Sequence, residues 1–275
     1  CLRRVPDSPL RNLSGAAVPE AVRVAVAQRR SEFLQPLMEA WTGYKSPAFR
    51  KELLSLAVRA HCLDCLDIAA LKLETFRMLS FEEELPEVAQ TAILAAALKR
   101  MPALESLSMQ LGWSMPKEGV VEVVKALMHL KELTFLAIPS AVFCGELMED
   151  LCQALKGMPH LKSFRLDRSG MDDRNAIKLA EALGGLPAIC EVQLQGNKIG
   201  RVGAEALIMA LRNCPTHGPS GTVKRRLLDL TGNPLNSSDQ ALLQANCTFC
   251  TFNNMLPDLP DPVDIQEDRA FRPVY

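Results

Sequence analysis

The sequence predicts an α/β repeat protein, a stack of units that each contain one strand, one turn and one helix. Three observations predict it. An apolar strand pattern of the form LxxLxL recurs along the chain, a pair of apolar residues at helical spacing follows each copy, and prolines fall between the units. Strand-period and helix-period patterns that alternate in this way mark the two elements in turn. Self-similarity at a fixed interval marks an array of stacked units.

The first copy is weak, at Phe76, Leu79 and Phe81. Clear copies follow at Leu104, Leu107, Met109 and at Leu133, Leu136, Ile138. The pattern continues at Leu161, Phe164, Leu166 and at Ile189, Val192, Leu194, with Leu228 and Leu230 supplying another. The last apolar positions are 81, 109, 138, 166, 194 and 230, so the intervals are 28, 29, 28, 28 and 36. The longest interval carries an insertion, THGPSGTVK, at 216–224. That stretch lacks the Gly-Lys-Ser/Thr ending and the leading strand of a phosphate-binding loop, so it reads as an inserted loop.

Three residues past each strand stand Glu84, Gly112, Ala141, Ser169, Asn197 and Asn233. Counted from these, Leu94 and Leu98, Leu151 and Leu155, Leu179 and Leu183, and Leu207 and Leu211 lie ten and fourteen residues on. The copy after Gly112 is one residue longer and places Val123 and Leu127 there. Pro102, Pro159, Pro187 and Pro215 punctuate the junctions, where a helix must stop before the next strand.

Asn197 has a physical reason in this frame. Where the chain leaves a strand its backbone groups lose their ladder partners, and a side chain with both a donor and an acceptor can satisfy them between neighbouring units. Asn197 and Asn233 can do this, and the other four copies have Glu84, Gly112, Ala141 and Ser169 there, so irregular turns are expected in those four.

The pattern LxxLxLxxNxIxxxGxxxL, with its period near 28, resembles the leucine-rich repeat of the ribonuclease-inhibitor-like subclass over roughly residues 74–250, most closely at 186–213. The resemblance implies a curved, horseshoe-shaped α/β solenoid with parallel strands on the concave face and helices on the convex face. The expected division is an extended or disordered segment at 1–17, a helical amino-terminal cap at 18–73, the solenoid at 74–252 and an acidic, Pro-rich tail at 253–275. A cap is expected because the apolar end of a first repeat must be covered. The chain lacks an initiator Met, and a fragment or processed chain is expected.

Composition excludes little but points one way. Hydrophobic residues make up 48% and aromatic ones 5%, so the core is aliphatic, and the formal net charge of -1 gives no dominant surface for nucleic acid or anionic membrane. No apolar run reaches the length of a membrane span. The nine scattered cysteines are read as buried, reduced thiols of a cytoplasmic protein. The pairs Cys62/Cys65 and Cys247/Cys250 are read the same way: they sit at opposite ends of the array, and Cys247 holds the place of Leu211 and Leu183. The histidines have no ligand spacing, and no G-x-S-x-G, H-E-x-x-H or G-x-G-x-x-G segment occurs. No catalytic, cofactor or metal residue is therefore named.

The concave face remains. Strand alternation sends Phe135, Ser163, Arg165, Asp167, Glu191, Gln193, Gln195 and Asp229 to it. The resemblance implies a non-enzymatic protein-interaction module that binds a protein partner there, with Phe135 and Arg165 as anchors, since Arg and aromatic residues dominate hot spots. A monomer with no nucleic-acid or membrane partner is expected. Two alternatives stand beside this reading. Some proteins with similar repeats activate Ran-type GTPases, though no catalytic residue can be matched here, and the chain could be an architectural segment of a longer one.

Overall fold

A computed structural model of the chain describes residues 73–84, 88–112, 115–143, 145–214 and 226–252, with Val24, Leu54, Ala57, Val58 and Leu63. Apart from those few residues, the expected terminal segments, the helical cap, the pair Cys62/Cys65 and the insertion at 216–224 lie outside the described residues.

Strand and helix alternate as the repeat predicts. The strands are β1 (Met78–Glu84), β2 (Ser106–Gln110), β3 (Phe135–Ala137), β4 (Ser163–Arg165), β5 (Glu191–Gln193), β6 (Leu227–Asp229) and β7 (Cys250–Thr251). Between them run α1 (Val88–Leu98), α2 (Lys117–Leu127), α3 (Glu146–Lys156), α4 (Asp173–Gly184), α5 (Arg201–Asn213) and α6 (Ser237–Asn246). The strands form one open sheet in chain order, β1 to β7, with every neighbouring pair parallel. A parallel pair needs a crossover of a dozen or more residues, and each helix supplies one.

The register stacks the central apolar residue of every strand. Leu79, Leu107, Leu136, Phe164, Val192 and Leu228 are consecutive partners across the sheet. All are buried in the core that also holds Leu94, Leu98, Val123, Leu127, Leu151, Leu155, Leu179, Leu183, Leu207 and Leu211 from the helices. The positions ten and fourteen residues past each turn, or eleven and fifteen past Gly112, are thus core positions. Fully burying one such aliphatic side chain is worth about 1.5–3 kcal/mol, which is why the pattern can set the register alone. The strands are short, but the backbone ladder continues past them. Ile138 N–H donates to the Arg165 carbonyl, Leu166 to Gln193, Leu194 to Asp229 and Leu230 to Thr251, all at 2.9–3.0 Å.

Asn197 does the work its position predicts. Its Oδ1 accepts from the N–H groups of Ser169 and Met171 at 2.9 and 3.1 Å, and its Nδ2 donates to the carbonyls of Leu166 and Leu194 at 2.9 and 3.0 Å. Asn233 repeats this one unit on, accepting from Ile199 N–H and donating to the Leu194 and Leu230 carbonyls. The residue before the asparagine place has positive φ in four consecutive copies: Ser140 (60°), Arg168 (51°), Gly196 (65°) and Gly232 (74°). The earlier copy differs, with the positive φ of 80° at Gly112 itself. Glycine reaches this region freely and L side chains do so at a cost, so of these four turns the two with asparagine are the two without that cost.

Two expectations are corrected. Cys247 is buried as foreseen, but it is not a thiol: it is disulfide-bonded to Cys250. Cys152, Cys190 and Cys214 are not disulfide-bonded, and burial pushes the Cys152 thiol up to about 11. The sheet also has a seventh strand, β7, that the repeat pattern did not announce. Its apolar residues lie only 22 positions past Leu230, counted to Phe252, because α6 connects to it through a shorter link.

Candidate functional site

The side of the sheet away from the core carries three rows of side chains, set by the parallel register. The first row is Met78, Ser106, Phe135, Ser163, Glu191 and Leu227. The second is Ser80, Ser108, Ala137, Arg165, Gln193, Asp229 and Thr251. The third lies where each strand enters its turn and contains Asp167, Gln195 and Thr231. Of the eight residues assigned to the face by alternation, Phe135, Ser163, Arg165, Glu191, Gln193 and Asp229 lie in strands β3 to β6, and Asp167 and Gln195 follow β4 and β5.

They do not present equally open surface. Ser163 is 8% exposed and Asp167 only 4%, so neither of these two residues assigned to the face is accessible. Ser163 Oγ has no hydrogen-bond partner. Ala137 is buried as well. Arg165 is exposed, while Phe135, Glu191, Gln193, Gln195 and Asp229 are half-buried.

Arg165, Asp167, Gln195 and Asp229 form one connected network, and Gln193 with Glu191 forms a separate pair. Arg165 Nε pairs with Asp167 Oδ2, and Asp167 Oδ1 accepts from the Gln195 backbone N–H at 3.0 Å. Gln195 Nε2 donates to Asp229 Oδ2 at 2.5 Å, Asp229 Oδ1 accepts from Thr231 N–H at 3.0 Å, and Gln193 Nε2 donates to Glu191 Oε1 at 2.6 Å. The two aspartates have opposite electrostatic fates. Burial raises the Asp167 carboxyl above its usual range, and the Arg165 guanidinium and the Gln195 N–H only partly offset it. Burial also acts against ionised Asp229, but donors from Thr231, Gln195 and the Thr251 hydroxyl together outweigh it and hold the carboxyl below its usual range. Such a network fixes rotamers in advance and offers paired charge and amide groups in a set geometry.

Thr251 belongs to this site and was missed with its strand. The alternation of Cys250 and Phe252 after Cys247 was the available signal. Among the described residues no group of three or more His, Cys, Asp or Glu is placed to hold a metal ion, and no helix is long and apolar enough to cross a membrane.

Fold and face together define a parallel α/β repeat protein, consistent with a solenoid of the leucine-rich-repeat type. No protein-family model and no curated protein sequence matches the chain. Among solved structures, the chain is similar to leiomodin-1 actin-binding site 2, at 19% identity and a TM-score of 0.34, over 56% of this chain and 92% of that one. It is also similar to the yeast Rad7 and Elc1 complex, at 14% identity and a TM-score of 0.37, over 88% of this chain and 70% of that one. Likeness at that level carries no functional argument, and the architecture rests on the repeat geometry of the chain itself.

Proposed function

We propose that the chain is a non-enzymatic, cytoplasmic protein-interaction module: a curved solenoid of the ribonuclease-inhibitor-like kind with a helical amino-terminal cap, whose protein partner docks on the strand face. The observation that supports this reading is the change of character along the rows. One end is small and plain, with Met78 58% exposed and Phe135 half-buried, and the other is the Arg165–Asp167–Gln195–Asp229 network. An aromatic or Arg anchor supplies affinity where it is desolvated, and arranged charges around it supply orientation. Side chains already held in one geometry lose less entropy when a partner arrives.

The test compares wild type with Arg165→Glu/Phe135→Ala, after circular dichroism has shown that the variant is folded. Proteins captured by wild type alone are purified and titrated against both by calorimetry. Loss of a hot spot predicts affinity weaker by about 30-fold or more. Equal affinity would remove the strand face from consideration. Accelerated GTP hydrolysis by a Ran-type GTPase on addition of the chain would overturn the non-enzymatic reading.

A further inference from the structure

The one cross-link among the described residues lies where the sheet ends. Cys247 and Cys250 are disulfide-bonded across a separation of three, with Cα atoms 6.1 Å apart. Cys247 is the C-cap of α6 and is 5% exposed, whereas Cys250 opens β7 and is half-buried. The bond therefore ties the end of a helix to the start of the edge strand. β7 is two residues long, and its backbone accepts from β6 through Leu228 N–H to the Phe249 carbonyl and Leu230 N–H to the Thr251 carbonyl, both at 2.9 Å.

A cross-link this short constrains little of the unfolded chain, because the entropy it removes grows with the length of the loop closed. Its consequence is local. Among the described residues it is the one cross-link, and Cys152, Cys190 and Cys214 are not disulfide-bonded. A short, partly exposed disulfide is the kind that exchanges, as against the buried cross-links that persist.

The geometry points to a redox latch: the Cys247–Cys250 disulfide closes β7 onto the sheet, and its reduction by a dithiol releases that strand. Release reaches the strand face. Thr251 lies opposite Asp229 and its hydroxyl donates to the Asp229 carboxylate, which also holds Gln195. With β7 gone, Asp229, at the end of the network that runs from Arg165 through Asp167 and Gln195, loses the Thr251 donor and keeps that of Thr231. The latch does not depend on the proposed binding role, although it would regulate any partner on that face.

The exchange is balanced. One thiolate of the reductant attacks Cys250 Sγ, the more accessible sulfur, forming a mixed disulfide as the S–S bond breaks, and Cys247 leaves and takes up a proton. The second thiol of the reductant then attacks its own sulfur in the mixed disulfide and displaces Cys250, which is protonated in turn. Two electrons and two protons pass from the dithiol, which ends as a disulfide.

The experiment uses the full chain in oxidised glutathione or in dithiothreitol, with alkylation mapped to single cysteines and amide hydrogen exchange read by NMR. In oxidised glutathione Cys247 and Cys250 should resist alkylation, and the amides of Leu228 and Leu230 should exchange slowly. Reduction should expose both cysteines and speed those two amides by about tenfold or more, leaving α4 and α5 unchanged. Cys250→Ser should match the reduced state in either buffer, and reduction of the wild type gives the same reading should that variant fold poorly. Free cysteines in oxidised glutathione, unchanged exchange at Leu228 and Leu230, or a uniform rise over the whole sheet would each overturn the latch.

Discussion

Asp173, in the first turn of α4, caps the helix of the next repeat. Its Oδ1 accepts from Gly200 N–H at 2.6 Å and from Gly203 N–H at 3.0 Å. The first N–H groups of a helix have no partner within it, and side-chain oxygens near the N-terminus satisfy them. Here the cap of α5 comes from a neighbouring repeat, so it couples two units of an array in which stability depends on nearest-neighbour interfaces. It also explains why the conspicuous glycine of the repeat pattern, Gly203, is a glycine.

A Cβ on Gly203 would stand 2.7 Å from Asp173 Oδ1, 2.9 Å from Ala176 Cβ and 3.0 Å from Asp173 Cα. Gly203→Ala should therefore destabilise by about 1–3 kcal/mol, as overpacking does, although alanine is the better helix former. Gly184→Ala meets only Ala210 Cβ at 3.6 Å and should be neutral or stabilising. Urea unfolding of the two variants checks the opposite signs.

Asn197→Ala should cost more than Asn233→Ala. The first leaves two buried N–H groups, of Ser169 and Met171, without the Asn197 oxygen, and the second leaves one, of Ile199. The Leu194 carbonyl is served by both asparagines and keeps a donor in either variant. With each stranded buried group costing about 1–3 kcal/mol, the difference should show in the denaturation midpoints.

Ser140→Gly should stabilise by about 1 kcal/mol, because Ser140 holds φ at 60° in the place where Gly196 and Gly232 sit. The converse, Gly196→Ala, should destabilise by about as much or more. Thermal unfolding reads both, and a fall in Tm for Ser140→Gly would show that its side chain outweighs the backbone strain.

The two aspartates of the strand face should act oppositely in acid. The folded Asp229 carboxyl lies below its ordinary value of 3.8, so its contribution to stability is present above that pH and is lost as pH falls through the lower folded value. The folded Asp167 carboxyl lies above 3.8, so its contribution is present below that pH and is lost as pH rises through the raised value. Asp167→Asn should make the acid loss of stability steeper, and Asp229→Asn should flatten it. Unfolding free energy measured from pH 2.5 to 6 checks the order.

Most of the architecture was legible in the sequence, and the reason is specific. Leu107, Leu136 and Phe164 meet across the sheet because each occupies the same place in a unit of nearly constant length, and Leu179 and Leu183 are buried for the same reason. Asn197 was legible too, since its amide carries both the donor and the acceptor that a turn between two units can use. The face was legible as a set of positions but not as a surface. Alternation gives a side of the sheet, and it does not say that Ser163 and Asp167 are covered there.

The sequence by itself determined the period, the parallel order of the strands and the aliphatic core, because burial energy is repeated at fixed spacing and needs no knowledge of partners. Only the tertiary structure decided the pairings of the polar side chains: Arg165 with Asp167, Gln195 with Asp229, Asp173 with the helix of the next unit, and Cys247 with Cys250. Of these, the Gln195–Asp229 and Asp173–Gly200 contacts join residues a whole repeat apart, and the other two depend on local backbone geometry. A polar group can be satisfied by many partners, so its choice follows from the three-dimensional arrangement that the apolar periodicity builds.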